Sequence, residues 1–140
     1  MKLTIINENR PHFIELIYRT SWFAKKGLSE IKKALVKESD AFIFVFALDD
    51  PDSFTYICEL DCWISELKEN KEIAKIIVAN KLDLVNSRFN DLNRNGKDYA
   101  EKFNIPYVET IAIEPYTKNV QFVFAELLKE IDRIEKIEKK

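Results

Sequence analysis

The chain has 140 residues, 46% apolar and 33% charged with a net charge of −2, so it reads as one soluble globular domain over residues 1–140 and carries no basic nucleic-acid footprint. Two cysteines and one histidine exclude a disulfide framework and a Cys/His zinc site. The two glycines, Gly27 and Gly96, stand far apart, and Gly96-Lys97 runs on into Asp98, so the phosphate-cradling pattern G-x-x-x-x-G-K-[ST] does not occur in these residues.

A first strand is predicted over residues 3–6, then a polar turn over 7–11 and a second strand over 12–18. So short a turn joins only antiparallel neighbours, and the chain is expected to open with a β-hairpin. Ser29 is the expected cap of a helix reaching Lys37, with Ile31, Ala34 and Leu35 as its apolar stripe. Residues 41–48 are apolar throughout, which is the pattern of a strand covered on both faces. Asp50 and Pro51 supply the cap and first position of a helix to Glu69, with Phe54, Ile57, Cys58, Trp63, Ile64 and Leu67 among its apolar positions.

A buried strand follows at 76–79, a helix at 92–103 and a strand at 106–110. Asn119 is the expected cap of a last helix to Lys136, striped by Val120, Val123, Phe124, Leu127, Leu128, Ile131 and Ile134. Strands alternating with helices predict an α/β fold. Its form is a three-layer, doubly wound, mostly parallel sheet of about five strands, with the hairpin at its start.

Several clusters read as structural. Asp49, Asp50 and Asp52 mark a helix N-terminus rather than a metal site. Cys58 and Cys62 read as reduced thiols, His12 as a solvated side chain beside the hairpin turn, and the Lys/Glu-rich stretch after Asp132 as a solvated helix. No metal site is expected. The start is too soon polar for a secretory signal, no run reaches the length of a membrane span, and residues 137–140 hold no prenylatable cysteine. A cytoplasmic protein with no lipid anchor and no nucleic-acid partner is expected.

Ligands of open α/β sheets bind at the carboxyl ends of the strands, and Asn80-Lys81-Leu82-Asp83 follows directly on the apolar strand there. These residue types suit a purine. The Asp83 carboxylate can accept two hydrogens from the guanine ring edge, the Asn80 amide can meet the acceptors of the opposite edge, and the Lys81 stem can cover the flat face.

Asn-Lys-x-Asp in this place resembles the guanine-specificity motif of the Ras superfamily of small GTPases. Other segments are similar in order and spacing. Residues 39–46 resemble the family's fourth strand with its preceding turn, and Asp50-Pro51-Asp52-Ser53-Phe54 with Trp63-Ile64-Ser65-Glu66-Leu67 resembles a helix of Rab-like members. Residues 100–112 resemble the stretch ending in E-T-S-A-K, and Lys118-Asn119-Val120 resembles the start of the last helix. The resemblance runs over residues 12–135 and implies a G-domain-like fold, guanine nucleotide as ligand and protein partners. It also aligns Ala112 with the alanine whose backbone amide meets the guanine oxygen.

The departures are equally specific. Arg19 stands at the position of the aspartate that reaches magnesium through water, Trp22 at that of the glycine sensing the γ-phosphate, and Phe23 at that of the glutamine orienting the attacking water. Ile111 and Ile113 replace a serine and a lysine beside Ala112. The first strand, the phosphate loop, the first helix and the switch threonine have no counterpart in these residues. Phosphoryl transfer is positioning plus electrostatic stabilisation by those parts, so GTP or GDP is expected to bind weakly, without magnesium, and no catalytic residue is expected.

Three readings remain open at this point. The chain is a pseudo-GTPase interaction module; or it is part of a genuine GTPase, truncated or completed by another chain; or it is a flavodoxin-like binding domain with a coincidental motif. Loss of the first helix is also expected to leave the sheet face beside Val123, Leu127 and Ile131 under-covered.

Overall fold

Ala41-Phe42-Ile43-Phe44-Val45-Phe46-Ala47 carries no polar side chain, and it forms β3 (Ala41–Ala47), a strand with apolar residues on both faces. The structure is a computed structural model that describes residues 2–7, 10–15, 30–80, 87–111 and 119–138, with side-chain surroundings described for 33–34, 36–80, 91–111 and 119–137. In chain order the elements are β1 (Lys2–Asn7), β2 (Arg10–Glu15), α1 (Glu30–Glu38), β3, α2 (Pro51–Leu67), β4 (Ala74–Asn80), α3 (Ser87–Lys102), β5 (Tyr107–Thr110) and α4 (Val120–Glu138).

β3, β4 and β5 make one parallel sheet in that order. One face packs on α1, α2 and α3 through Phe44, Phe46, Ile77 and Ala79 of the strands and Val36, Ile57, Ile64 and Ala100 of the helices. The opposite face packs on α4 through Ile76, Val78, Val108, Val123, Leu127 and Ile134. Helices on both faces of a parallel sheet are the layered α/β arrangement expected from the alternating pattern. Aromatic rings tie the first layer together, with Phe46 at 5.2 Å from Phe54, Phe54 edge-on to Tyr99 at 6.2 Å, and Tyr99 at 4.7 Å from Phe103.

The expected sheet of about five strands requires correction. β1 and β2 pair antiparallel, Lys2 opposite Glu15 through Asn7 opposite Arg10, as a two-stranded ladder of their own, while among the described residues the main sheet holds three strands. β3 therefore stands at an edge among the described residues. On the α4 side Ile43 is only half-buried, and Val45 is 54% exposed.

Element ends follow local chemistry. Asp50 Oδ1 caps α2 by accepting from Asp52 N at 3.1 Å and Ser53 N at 3.3 Å, with Pro51 next in the chain. Glu69 and Asn70 take left-handed backbone (φ 57 and 56) and stop α2 at Leu67, and Asn104 (φ 55) does the same after α3. Among the described side chains of α1 Val36 makes the core contact, whereas Ala34 faces solvent, because α2 and the sheet lie on the Val36 side. Among the described residues no helix is long and apolar enough to cross a membrane.

Candidate functional site

The three strands end flush. Register pairs Ala47 with Asn80 and Asn80 with Thr110, so one carboxyl edge carries the last residue of each strand. The β3 end is tied by Ser53, whose Oγ accepts from Ala47 N at 2.9 Å and donates to the Asp50 carbonyl at 2.6 Å. The β4 end is tied to it, since Leu48 N donates to the Asn80 carbonyl at 3.1 Å.

Asn80 is the last residue of β4 rather than the first of a loop. Thr110 Oγ1, at 3% exposure, donates to Asn80 Oδ1 at 3.0 Å. With its oxygen engaged, the Asn80 amide keeps its Nδ2 hydrogens to offer to an acceptor. The other three predicted base-binding residues, Lys81, Asp83 and Ala112, lie outside the described residues, as do Arg19, Trp22 and Phe23.

Around this edge the structure gathers further residues, of which Asn93 and Lys97 lie outside the matched motifs. The Glu109 carboxylate accepts from Asn93 Nδ2 at 3.0 Å and pairs with Lys97 Nζ at 2.8 Å, both from α3. Tyr107 donates to Asn93 Oδ1 at 2.5 Å, so both ends of the Asn93 amide are engaged. Asn119 does not use its side chain to cap α4 in the expected way. Its backbone is left-handed (φ 63) and its Nδ2 donates back to the Glu109 carbonyl at 2.9 Å, while its own carbonyl accepts from Val123 N. The available signal was spacing: Asn93 and Lys97 are four apart, hence on one helix face, and opposite charge at Glu109 follows twelve residues after Lys97.

A second polar cluster sits near the other end of the sheet. Asp61 of α2 receives Lys75 Nζ at 2.6 Å on one oxygen and the Tyr99 hydroxyl at 2.7 Å on the other, and Lys75 also reaches Ser65 Oγ at 2.8 Å. A cavity of about 470 Å³ opens beside it, lined by Asp61, Lys75, Tyr99, Phe103 and Arg133 among others. Its buried carboxylate is paired and hydrogen-bonded by the protein itself, and Arg133 is paired with Glu72 and Glu130, so the cluster joins α2, β4 and α3 rather than awaiting a ligand.

Comparison with known proteins settles the family. The Ras family profile matches residues 25–133. The chain belongs to the Ras family. It is 31% identical over 103 residues to Ras-related protein Rab-1D of Dictyostelium discoideum, an alignment covering 72% of this chain and 48% of that protein. It is 30% identical over 106 residues to Circularly permutated Ras protein 1 of the same organism, covering 75% of this chain and 12% of that protein. This Ras-family chain thus spans about half the length of the first relative and a much smaller share of the second. It is a small-GTPase-like domain with a Rab-like sequence, and the flush strand ends lie where such α/β sheets place ligands.

Proposed function

We propose that this chain is a pseudo-GTPase interaction module that keeps guanine-base recognition at Asn80, Lys81, Asp83 and Ala112 and acts on a protein partner through its surface. The observation that carries this reading is the Thr110–Asn80 hydrogen bond at the flush strand edge, which presets an amide donor at the first position of the Asn-Lys-x-Asp motif. Asp83 accepts from the opposite edge of the base, Lys81 covers its face, and the backbone amide of Ala112 meets its oxygen. These 140 residues contain no G-x-x-x-x-G-K-[ST], and Arg19, Trp22 and Phe23 replace the groups that would hold magnesium, the γ-phosphate and water. Base-edge contacts without phosphate contacts supply roughly 4 kcal/mol, which is millimolar affinity. GTP and GDP bind weakly, magnesium adds nothing, and GTP is not hydrolysed.

Calorimetry with GDP, with GTP plus magnesium, and with ATP as control tests the reading. Guanine-selective heat only near millimolar nucleotide is expected, and Asp83→Asn should turn the preference from guanine to xanthine. Micromolar binding of GTP, or its hydrolysis, overturns it.

A second reading is favoured by the β3 edge. An uncharged strand with an exposed Val45 and no neighbour on its outer side among the described residues suits a sheet completed by a further phosphate-binding unit, from another stretch of polypeptide or another chain. Adding a polypeptide that bears G-x-x-x-x-G-K-[ST] should then raise GDP affinity to micromolar, and no change excludes this arrangement.

A further inference from the structure

β3 reads almost the same in both directions. Ala41-Phe42-Ile43-Phe44-Val45-Phe46-Ala47 differs from its own reversal only by the exchange of Ile43 with Val45. Its inner side is taken by β4, and Leu48 N donating to the Asn80 carbonyl sets the alternation. The backbone groups of Phe42, Phe44 and Phe46 therefore turn to β4. Those of Ala41, Ile43 and Val45 turn outward, where no strand pairs with them among the described residues. Ala47 belongs to the outward set, but its N–H and carbonyl are already engaged by Ser53 Oγ and Asp50 N. Neither a charge nor a proline guards this edge.

We propose that the outer edge of β3 pairs antiparallel with β3 of a second copy of this chain, about a two-fold axis at Phe44. In that register Ile43 of each copy stands opposite Val45 of the other, and each such pair exchanges two backbone hydrogen bonds. Phe42 then faces Phe46, and Val45, 54% exposed in the single chain, gains an apolar neighbour across the seam. Moving the axis to Ile43 or to Val45 would set Phe46 against Asp40 or Ala41 against Asp49. The size of the surface suits a dimer. Seven residues make an edge about 23 Å long, and a sheet with a helix layer on each face is roughly 25–30 Å deep, so each copy offers roughly 600–700 Å². Two such surfaces together exceed the roughly 1,000 Å² that a specific interface needs. This pairing does not depend on nucleotide, and it competes for the edge with the phosphate-binding unit of the second reading.

The test is sedimentation equilibrium of the full chain through the micromolar range, without nucleotide. A dimer is expected. Val45→Lys, at a position already exposed in the monomer, should weaken it roughly tenfold or more with circular dichroism unchanged, because the seam would bury an unpaired charge. The register is read separately. Ile43→Cys mixed with Val45→Cys should give, on oxidation, a disulfide joining 43 to 45, located by peptide mass apart from Cys58 and Cys62. Either variant alone should give none, since its two copies stand on a diagonal of about 7–8 Å, past disulfide reach. If Val45→Lys loses the fold, the cysteine pair decides alone. A monomer throughout the range overturns the proposal, as does a dimer that Val45→Lys leaves unchanged. Links joining 43 to 43 or 45 to 45, with none from 43 to 45, overturn the axis at Phe44. Assemblies larger than a dimer overturn it too, because a two-fold pairing is closed. A chain that stays monomeric and takes up the polypeptide bearing G-x-x-x-x-G-K-[ST] assigns the edge to that unit instead.

Discussion

Asp61 occupies the core side of α2 at 5% exposure, and its two oxygens are taken by groups from β4 and α3. Removing one member of such a buried pair leaves an uncompensated charge, whereas replacing both with apolar groups restores much of the loss. Lys75→Met should cost about 3–5 kcal/mol in urea unfolding, and adding Asp61→Leu should recover a large part of it. A double variant no better than Lys75→Met would show that Tyr99 and Ser65, not the charge, set the penalty. Cys58 lies on the same helix, where burial first, then the neighbouring Asp61, Cys62 and Glu59, pushes its thiol from the usual 9.0 up to about 11. The folded chain therefore holds this proton at pH values where the unfolded chain has released it. That contribution to stability is complete below pH 9 and disappears as pH rises towards 11. At pH 8, iodoacetamide should label exposed Cys62 in the native protein faster than half-buried Cys58, whose thiol also holds its proton more tightly. Equal native rates would contradict the partial burial and raised pKa of Cys58.

Helix α3 meets the sheet at Gly96. A Cβ there would lie 2.8 Å from Phe46 Cζ and 2.9 Å from the Tyr107 ring, closer than side chains pack. Alanine gains up to about 1 kcal/mol over glycine inside a helix, but overpacking a core costs about 1–3 kcal/mol. Gly96→Ala should thus lower Tm by a few degrees in thermal circular dichroism, and a raised Tm would show that the two rings yield. The elements themselves were largely legible from periodicity. The run from Ala41, the Asp50-Pro51 helix start and the α4 stripe at Val123, Leu127, Leu128 and Ile134 stand where expected. What escaped depended on partners distant in the chain. Asp61 interrupts an apolar face and is intelligible only beside Lys75 and Tyr99, and Val36 replaces Ala34 in the core because of where α2 lies. At the site, Asn80 could be named from its motif, but its orientation by Thr110 and the return of Asn119 to Glu109 are contacts across 30 and 10 residues that no local pattern encodes.

Over the whole molecule, the described core divides by sheet face into a layer beneath α1, α2 and α3 and a layer beneath α4. The flush strand edge at Asn80 and the Asp61 cluster sit towards opposite ends of the strands, so substitutions in one should leave the other intact unless they alter β4, which serves both through Asn80 and Lys75. The strand order β3-β4-β5 follows the order of the chain. During synthesis each new strand consequently finds its predecessor already exported as its neighbour, and the sheet can grow outward in one direction, a helix and a strand at a time. Assembly of these three strands needs no late insertion between partners already paired, which favours early, stepwise folding of this part of the chain as it leaves the ribosome.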